Sequence, residues 1–103
     1  MAPTPTVDAF MKEGAQQAAN FLRLVSNENR LLILCLLIQH KELSAGAINE
    51  HLALSQPALS QHLSKMREEG LITFRRDAQT LYYRVENPQV KKLVSALKTI
   101  FCT

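Results

Sequence analysis

The same helix-opening device occurs twice in close succession, at Leu43-Ser44 with Ile48 and at Leu54-Ser55 with Leu59. In each, a serine stands where its side chain can accept a hydrogen bond from an orphan backbone N–H of the first helical turn. The leucine before it can pack on the apolar residue one turn inside the helix. Pro57 is compatible with the second start, because its missing N–H falls in a turn where no intrahelical partner is expected. The helix opened by Ser44 is predicted to end near His51, and that opened by Ser55 to run to Glu69 and stop at Gly70. Two such helices joined across Leu52-Ala53-Leu54 form a helix-turn-helix, and this constrains the chain more than any other feature.

The flanking segments complete the pattern. From Val7 to Val25, apolar residues recur at Met11, Ala15, Ala18, Leu22 and Val25, the spacing of one helical face. Ser26 and Asn27 are good caps for a second helix over Glu28 to Gln39. There Leu31, Leu34, Cys35 and Ile38 form a stripe that Leu32, Ile33, Leu36 and Leu37 broaden, so the helix should be largely buried. After the helix-turn-helix, Leu71 to Arg76 and Thr80 to Val85 are rich in β-branched and aromatic residues and are separated by Asp77-Ala78-Gln79, which reads as a β-hairpin. Asn87-Pro88 then caps a last helix with Val90, Leu93, Val94, Leu97 and Phe101 on its apolar face. The predicted fold is mostly α with a β-hairpin wing, a winged helix-turn-helix in the order α-α-α-α-β-β-α. Residues 1–6, with two prolines among small polar residues, are expected to be a disordered lead-in, and residues 7–103 one DNA-binding and dimerisation domain.

A chain of 103 residues builds one core and buries a modest fraction of its surface, so apolar stripes near its ends are expected to meet a second subunit. The formal net charge of +3 is compatible with an acidic partner without establishing one. No apolar run approaches the roughly 20 residues of a membrane span, and a cytoplasmic location is expected. Cys35 and Cys102 are too few for a secreted disulfide framework. They lack C-x-x-C spacing, and no nucleophile, base and orienting group cluster in the sequence, so an enzyme is not expected, nor is a cofactor.

In the second helix of the pair, Leu59, Leu63 and Met66 form the inward stripe, while Gln56, Ser60, Gln61, Ser64 and Lys65 point elsewhere. Short hydroxyl and amide side chains can approach base edges as both donors and acceptors, and Lys65 can reach a phosphate, so this face suits the major groove. A solvated helix face would more often carry alternating Glu and Lys. Arg75 and Arg76 stand where a wing would meet the sugar-phosphate backbone or the minor groove, with Asp77 offsetting part of their charge. Leu81, Tyr82 and Tyr83 read as packing residues, His62 and Met66 as helix packing, and His40 and His51 as residues at helix ends that favour the dipole.

Asn29-Arg-Leu-Leu-Ile-Leu34, Leu54-Ser-Gln-Pro-Ala-Leu-Ser-Gln-His-Leu63 and Met66-Arg-Glu-Glu-Gly-Leu-Ile72, with Tyr82-Tyr83, together resemble the ArsR/SmtB family of bacterial repressors over about residues 20–101. The resemblance implies a homodimer, joined through its first and last helices, that binds an imperfect palindrome in double-stranded DNA and leaves it when an inducer arrives. Metal-sensing members carry paired cysteines at the start of the third helix or acidic and histidine ligands along the last. Here Leu43-Ser-Ala-Gly-Ala-Ile48 holds no thiolate and the segment after Pro88 has no Asp, Glu or His, so no metal site is expected.

The pair Cys35 and Cys102 is similar instead to that of the subgroup sensing reactive sulfur species, in which persulfides link two thiols and release the repressor. On its residues alone, Cys35, which shares an apolar stripe, reads first as an inert buried thiol acting as a small hydrophobe, whereas Cys102, near Lys91, Ser95 and Lys98, should be partly exposed. A disulfide needs Cα atoms within about 7 Å, and each inserted sulfur extends the reach by roughly 2 Å. Two alternatives stay open: an activator that displaces another DNA-bound protein and answers peroxide through Cys35, and a winged helix that binds only a protein.

Overall fold

A computed structural model describes residues 7–102. The lead-in expected at residues 1–6 lies outside them.

The first helix, α1, is continuous through Val7–Ala9, a π-helical stretch Phe10–Gly14 and Ala15–Val25. The remaining elements are α2 Glu28–His40, β1 Leu43–Ser44, α3 Ala45–His51, α4 Gln56–Glu68, β2 Thr73–Asp77, β3 Thr80–Arg84 and α5 Pro88–Phe101. The predicted caps are in place. Asn27 accepts from Arg30 N, Ser44 from Ala47 N, Ser55 from Ala58 N and Asn87 from Gln89 N. Gly70, at φ +78, closes α4: its N–H donates to Arg67 O at 3.1 Å and Leu71 N–H to Met66 O at 2.9 Å. This paired closure needs a left-handed residue after the helix, a conformation glycine adopts without cost from a side chain.

Leu43-Ser44 is a short strand before it becomes a helix cap, which the sequence reading did not anticipate. It pairs antiparallel with β3, Leu43 opposite Tyr83 and Ser44 opposite Tyr82, and makes the wing a three-stranded sheet in the order β1-β3-β2. The hairpin register sets Phe74 opposite Tyr83, Arg75 opposite Tyr82 and Arg76 opposite Leu81. The turn is Ala78-Gln79, with Ala78 in the left-handed region at φ 57.

Ile33, Leu34 and Leu37 of α2, Ile48 of α3, Leu59, Leu63 and Met66 of α4, and Val90 and Val94 of α5 share one buried core. Both staples are seated on it, for Leu43 and Leu54 pack against the buried cluster that holds Ile48 and Leu59. The stripe expected on α1 is another matter: Val25 is buried, but Met11 and Leu22 are exposed. With Phe10, and with Ile100 and Phe101 at the end of α5, they are large apolar side chains that one chain leaves uncovered. None of the helices among the described residues is long and apolar enough to cross a membrane.

Candidate nucleic-acid interface and thiol pair

The two faces of α4 separate as the sequence implies. Leu59, Leu63 and Met66 are buried, and Gln56, Ser60, Gln61, Ser64 and Lys65 are all exposed. Ser60, Gln61, Ser64 and Lys65 line one shallow surface together with Glu68. Gln56 and Ser60 also border a groove of about 260 Å³ between α3 and α4, with Ala45, Gly46 and Asn49 on its other side. Asn49 had not been singled out from the sequence. Its Nδ2 donates to Leu54 O at 2.8 Å, tying α3 to the residue that enters α4. This bond pairs a backbone oxygen of the turn with a side chain of α3.

Arg75 and Arg76 do not act from one face. Successive strand residues point to opposite sides of a sheet, and here Arg75 shares its side with Tyr82, Arg76 with Phe74 and Leu81. The Phe74 side is the one toward α4, since the Arg67 guanidinium lies 4.6 Å from the Phe74 ring centre. Arg75 lies over Tyr82, 4.6 Å from the ring centre, and grips Glu42 with two nitrogens: Nη2 donates to Oε1 at 2.7 Å and Nε to Oε2 at 3.0 Å. The Arg75 hydrogen bonds hold the Glu42 carboxyl below the usual carboxylate range and raise the guanidinium in turn. Period-two alternation could have separated the two arginines from sequence, but Glu42 stands 33 residues from Arg75 and carries no local signal of the pairing.

A third arginine, overlooked apart from its place in the Asn29-to-Leu34 segment, fastens the base of the recognition helix. Arg30 Nη1 donates to Leu24 O at 2.6 Å and to Glu69 Oε2 at 2.8 Å, joining the end of α1, the start of α2 and the end of α4. The histidines at the ends of α2 and α3, His40 and His51, meet with ring centres 5.6 Å apart. Among the described residues no three His, Cys, Asp or Glu side chains gather as a metal site would need.

The two thiols lie on different helices. Cys35 is half-buried on α2 and borders an open apolar groove with Leu31, Leu32, Ser26, Asn27 and Glu28. Cys102 is exposed and caps α5, its N–H donating to Lys98 O at 2.8 Å. Burial pushes the Cys35 thiol up; Lys98 counteracts this in part, and the charge of Cys102 adds to it. The helix that ends at Cys102, α5, packs against α2, which carries Cys35.

A polar helix, fastened at its start by Asn49 and at its end by Arg30 and flanked by a three-stranded wing, is the architecture of a winged helix-turn-helix DNA-binding protein. The chain belongs to the ArsR family of bacterial regulatory proteins, whose family model matches residues 27–73. It is 43% identical over 94 residues to the HTH-type transcriptional regulator YgaV of Escherichia coli, covering 91% of this chain and 95% of that one. The reduced form of HlyU from Vibrio cholerae superimposes with a TM-score of 0.82 at 40% identity, over 90% of this chain and 97% of that one. The transcriptional repressor BigR from Xylella fastidiosa superimposes with a TM-score of 0.85 at 35% identity, over 95% and 99% respectively.

Proposed function

We propose that the protein is a homodimeric repressor, released from its operator when reactive sulfur links Cys35 to Cys102. What supports this reading is an exposed thiol at the end of α5 and a half-buried one on α2, two helices that pack together. The similar Xylella protein is named a repressor and the similar Vibrio protein an activator. The uncovered apolar residues of α1 and α5 are the surface on which a second copy would close.

The order of events follows from exposure. The Cys102 thiolate attacks the sulfane sulfur of a small persulfide such as glutathione persulfide; one sulfur is transferred and glutathione thiolate leaves. Cys35, once persulfidated in the same way, joins it as a trisulfide with loss of one molecule of hydrogen sulfide. The bridge ties α2, whose Arg30 fastens α4, to α5 at the dimer seam, and so biases the two-state dimer away from its DNA-binding form. Intact-protein mass spectrometry after glutathione persulfide and, separately, hydrogen peroxide tests this, paired with fluorescence anisotropy on the chain's own promoter region. A crosslink carrying extra sulfur, formed only with persulfide and accompanied by loss of binding, supports the reading. Undiminished binding by a fully crosslinked chain would remove it.

Because burial raises the Cys35 pKa, its reactive thiolate is scarcer near neutral pH than that of a free thiol. In a Cys102→Ser chain, alkylation of Cys35 by iodoacetamide should therefore be slower than that of glutathione near neutrality and keep rising past the ordinary thiol range. A rate that levels off below that range would show the thiol to be activated.

The DNA-reading roles separate in a second test. Gln61→Ala should weaken operator binding by about 1–3 kcal/mol while leaving random DNA little affected, as expected of a base contact. Arg76→Ala should weaken binding to both and make the dependence on salt shallower by about one unit of slope, as expected of a phosphate contact. Identical behaviour of the two variants would abolish this division.

A further inference from the structure

We propose that Glu42 occupies the phosphate-binding fork of Arg75 in the free protein, so that Arg75 reaches DNA only by exchanging this carboxylate for a backbone phosphate. The inference rests on the reading of the wing as a DNA contact and says what sets that contact's strength.

The guanidinium fork matches carboxylate and phosphate with the same two-nitrogen geometry. Here that geometry is already satisfied, by Nη2 to Oε1 at 2.7 Å and Nε to Oε2 at 3.0 Å. The arginine sits over a ring as well as being paired. From β2 it crosses the ring of Tyr82 on β3 toward the edge strand β1, and Glu42 stands just before that strand. Tyr82 thus lies against the guanidinium while the carboxylate fills its donor edge.

The pair is built for exchange, since both side chains stay open to solvent, at 46% for Arg75 and 31% for Glu42. An exposed pair separates at small cost, whereas a buried one would leave two stranded charges. Arg76, on the opposite side of the wing, forms no ion pair among the described residues. The wing therefore carries one arginine available at once and one released only in competition with Glu42. The carboxylate lowers the affinity of the wing for any DNA backbone.

The test is a double-mutant cycle of Glu42→Gln and Arg75→Gln, read by anisotropy on a labelled random-sequence duplex of about 30 base pairs, long enough for two half-sites. The exchange predicts that Glu42→Gln tightens binding about three- to tenfold, because Arg75 then meets a phosphate without first giving up a carboxylate. In the Arg75→Gln background the same substitution should give no gain. An equal gain in both backgrounds would mean that Glu42 merely repels phosphate, and overturns the exchange. Weaker binding by Glu42→Gln would mean that the pair holds the wing in its binding shape, and overturns it too. Parent protein that binds no duplex even at low salt would instead defeat the DNA reading beneath the proposal. Thermal unfolding by circular dichroism confirms that each variant is folded.

Discussion

A chain carrying Leu22→Glu and Phe101→Glu will fold, run as a monomer in light scattering, and bind its operator about 10²- to 10⁴-fold more weakly than the parent. Leu22 is 50% exposed and Phe101 78% exposed in one chain, so neither substitution removes a buried contact from the monomer's own core. In a dimer closed through α1 and α5, each would put a carboxylate where an apolar partner is expected, and an unpaired charge taken out of water costs several kcal/mol. The loss of binding is large because a dimer engages two half-sites together, about 34–36 Å apart along the duplex. A monomer forfeits the high effective concentration that the first contact confers on the second. A variant that stays dimeric and binds normally would put the seam on another face of the chain.

The parts of this fold legible in the sequence are those governed by neighbours along the chain. Ser44, Ser55 and Asn87 cap helices through bonds that reach two or three residues ahead, and Gly70 ends α4 through a conformation of its own. Leu59, Leu63 and Met66 announce a buried stripe by spacing alone, and the exposed face of α4 follows from what remains. What escaped notice depends on residues far apart. The strand at Leu43-Ser44 exists because Tyr82 and Tyr83 lie opposite it, and two residues carry too little pattern to announce a strand. Glu42 and Arg75 are 33 residues apart, Arg30 and Glu69 39 apart, and each pair becomes visible only once α2, α4 and the wing are assembled. The thiol pair lies between these cases. Which cysteines to consider was plain from their number, but whether they can meet depends on how α5 packs on α2.

Replacing Arg30 by Met will destabilise the fold by about 3 kcal/mol, through loss of two hydrogen bonds and the stranding of their acceptors. The arginine is 13% exposed and its partner Glu69 22%, so the pair is far less screened than the ion pairs of the wing. Methionine keeps the apolar stem and removes the guanidinium, which leaves the Glu69 carboxylate without its donor and Leu24 O without the 2.6 Å bond it accepts. In a domain of this length the loss corresponds to a fall in Tm of about 10–20 °C. It should be measured at fixed protein concentration, because the proposed dimer would couple stability to mass action. Adding Glu69→Gln should restore part of the loss, since a neutral amide is cheaper to leave unpaired than a carboxylate. If it does not, the penalty belongs to Leu24 O and the packing of the stem. The same variant should weaken operator binding beyond what unfolding explains, because Arg30 fastens the end of α4 to the helix that carries Cys35. Operator affinity unchanged at a temperature where the variant remains fully folded would show that the recognition helix holds its angle without this clamp, and that a signal from the thiols must reach DNA by another route.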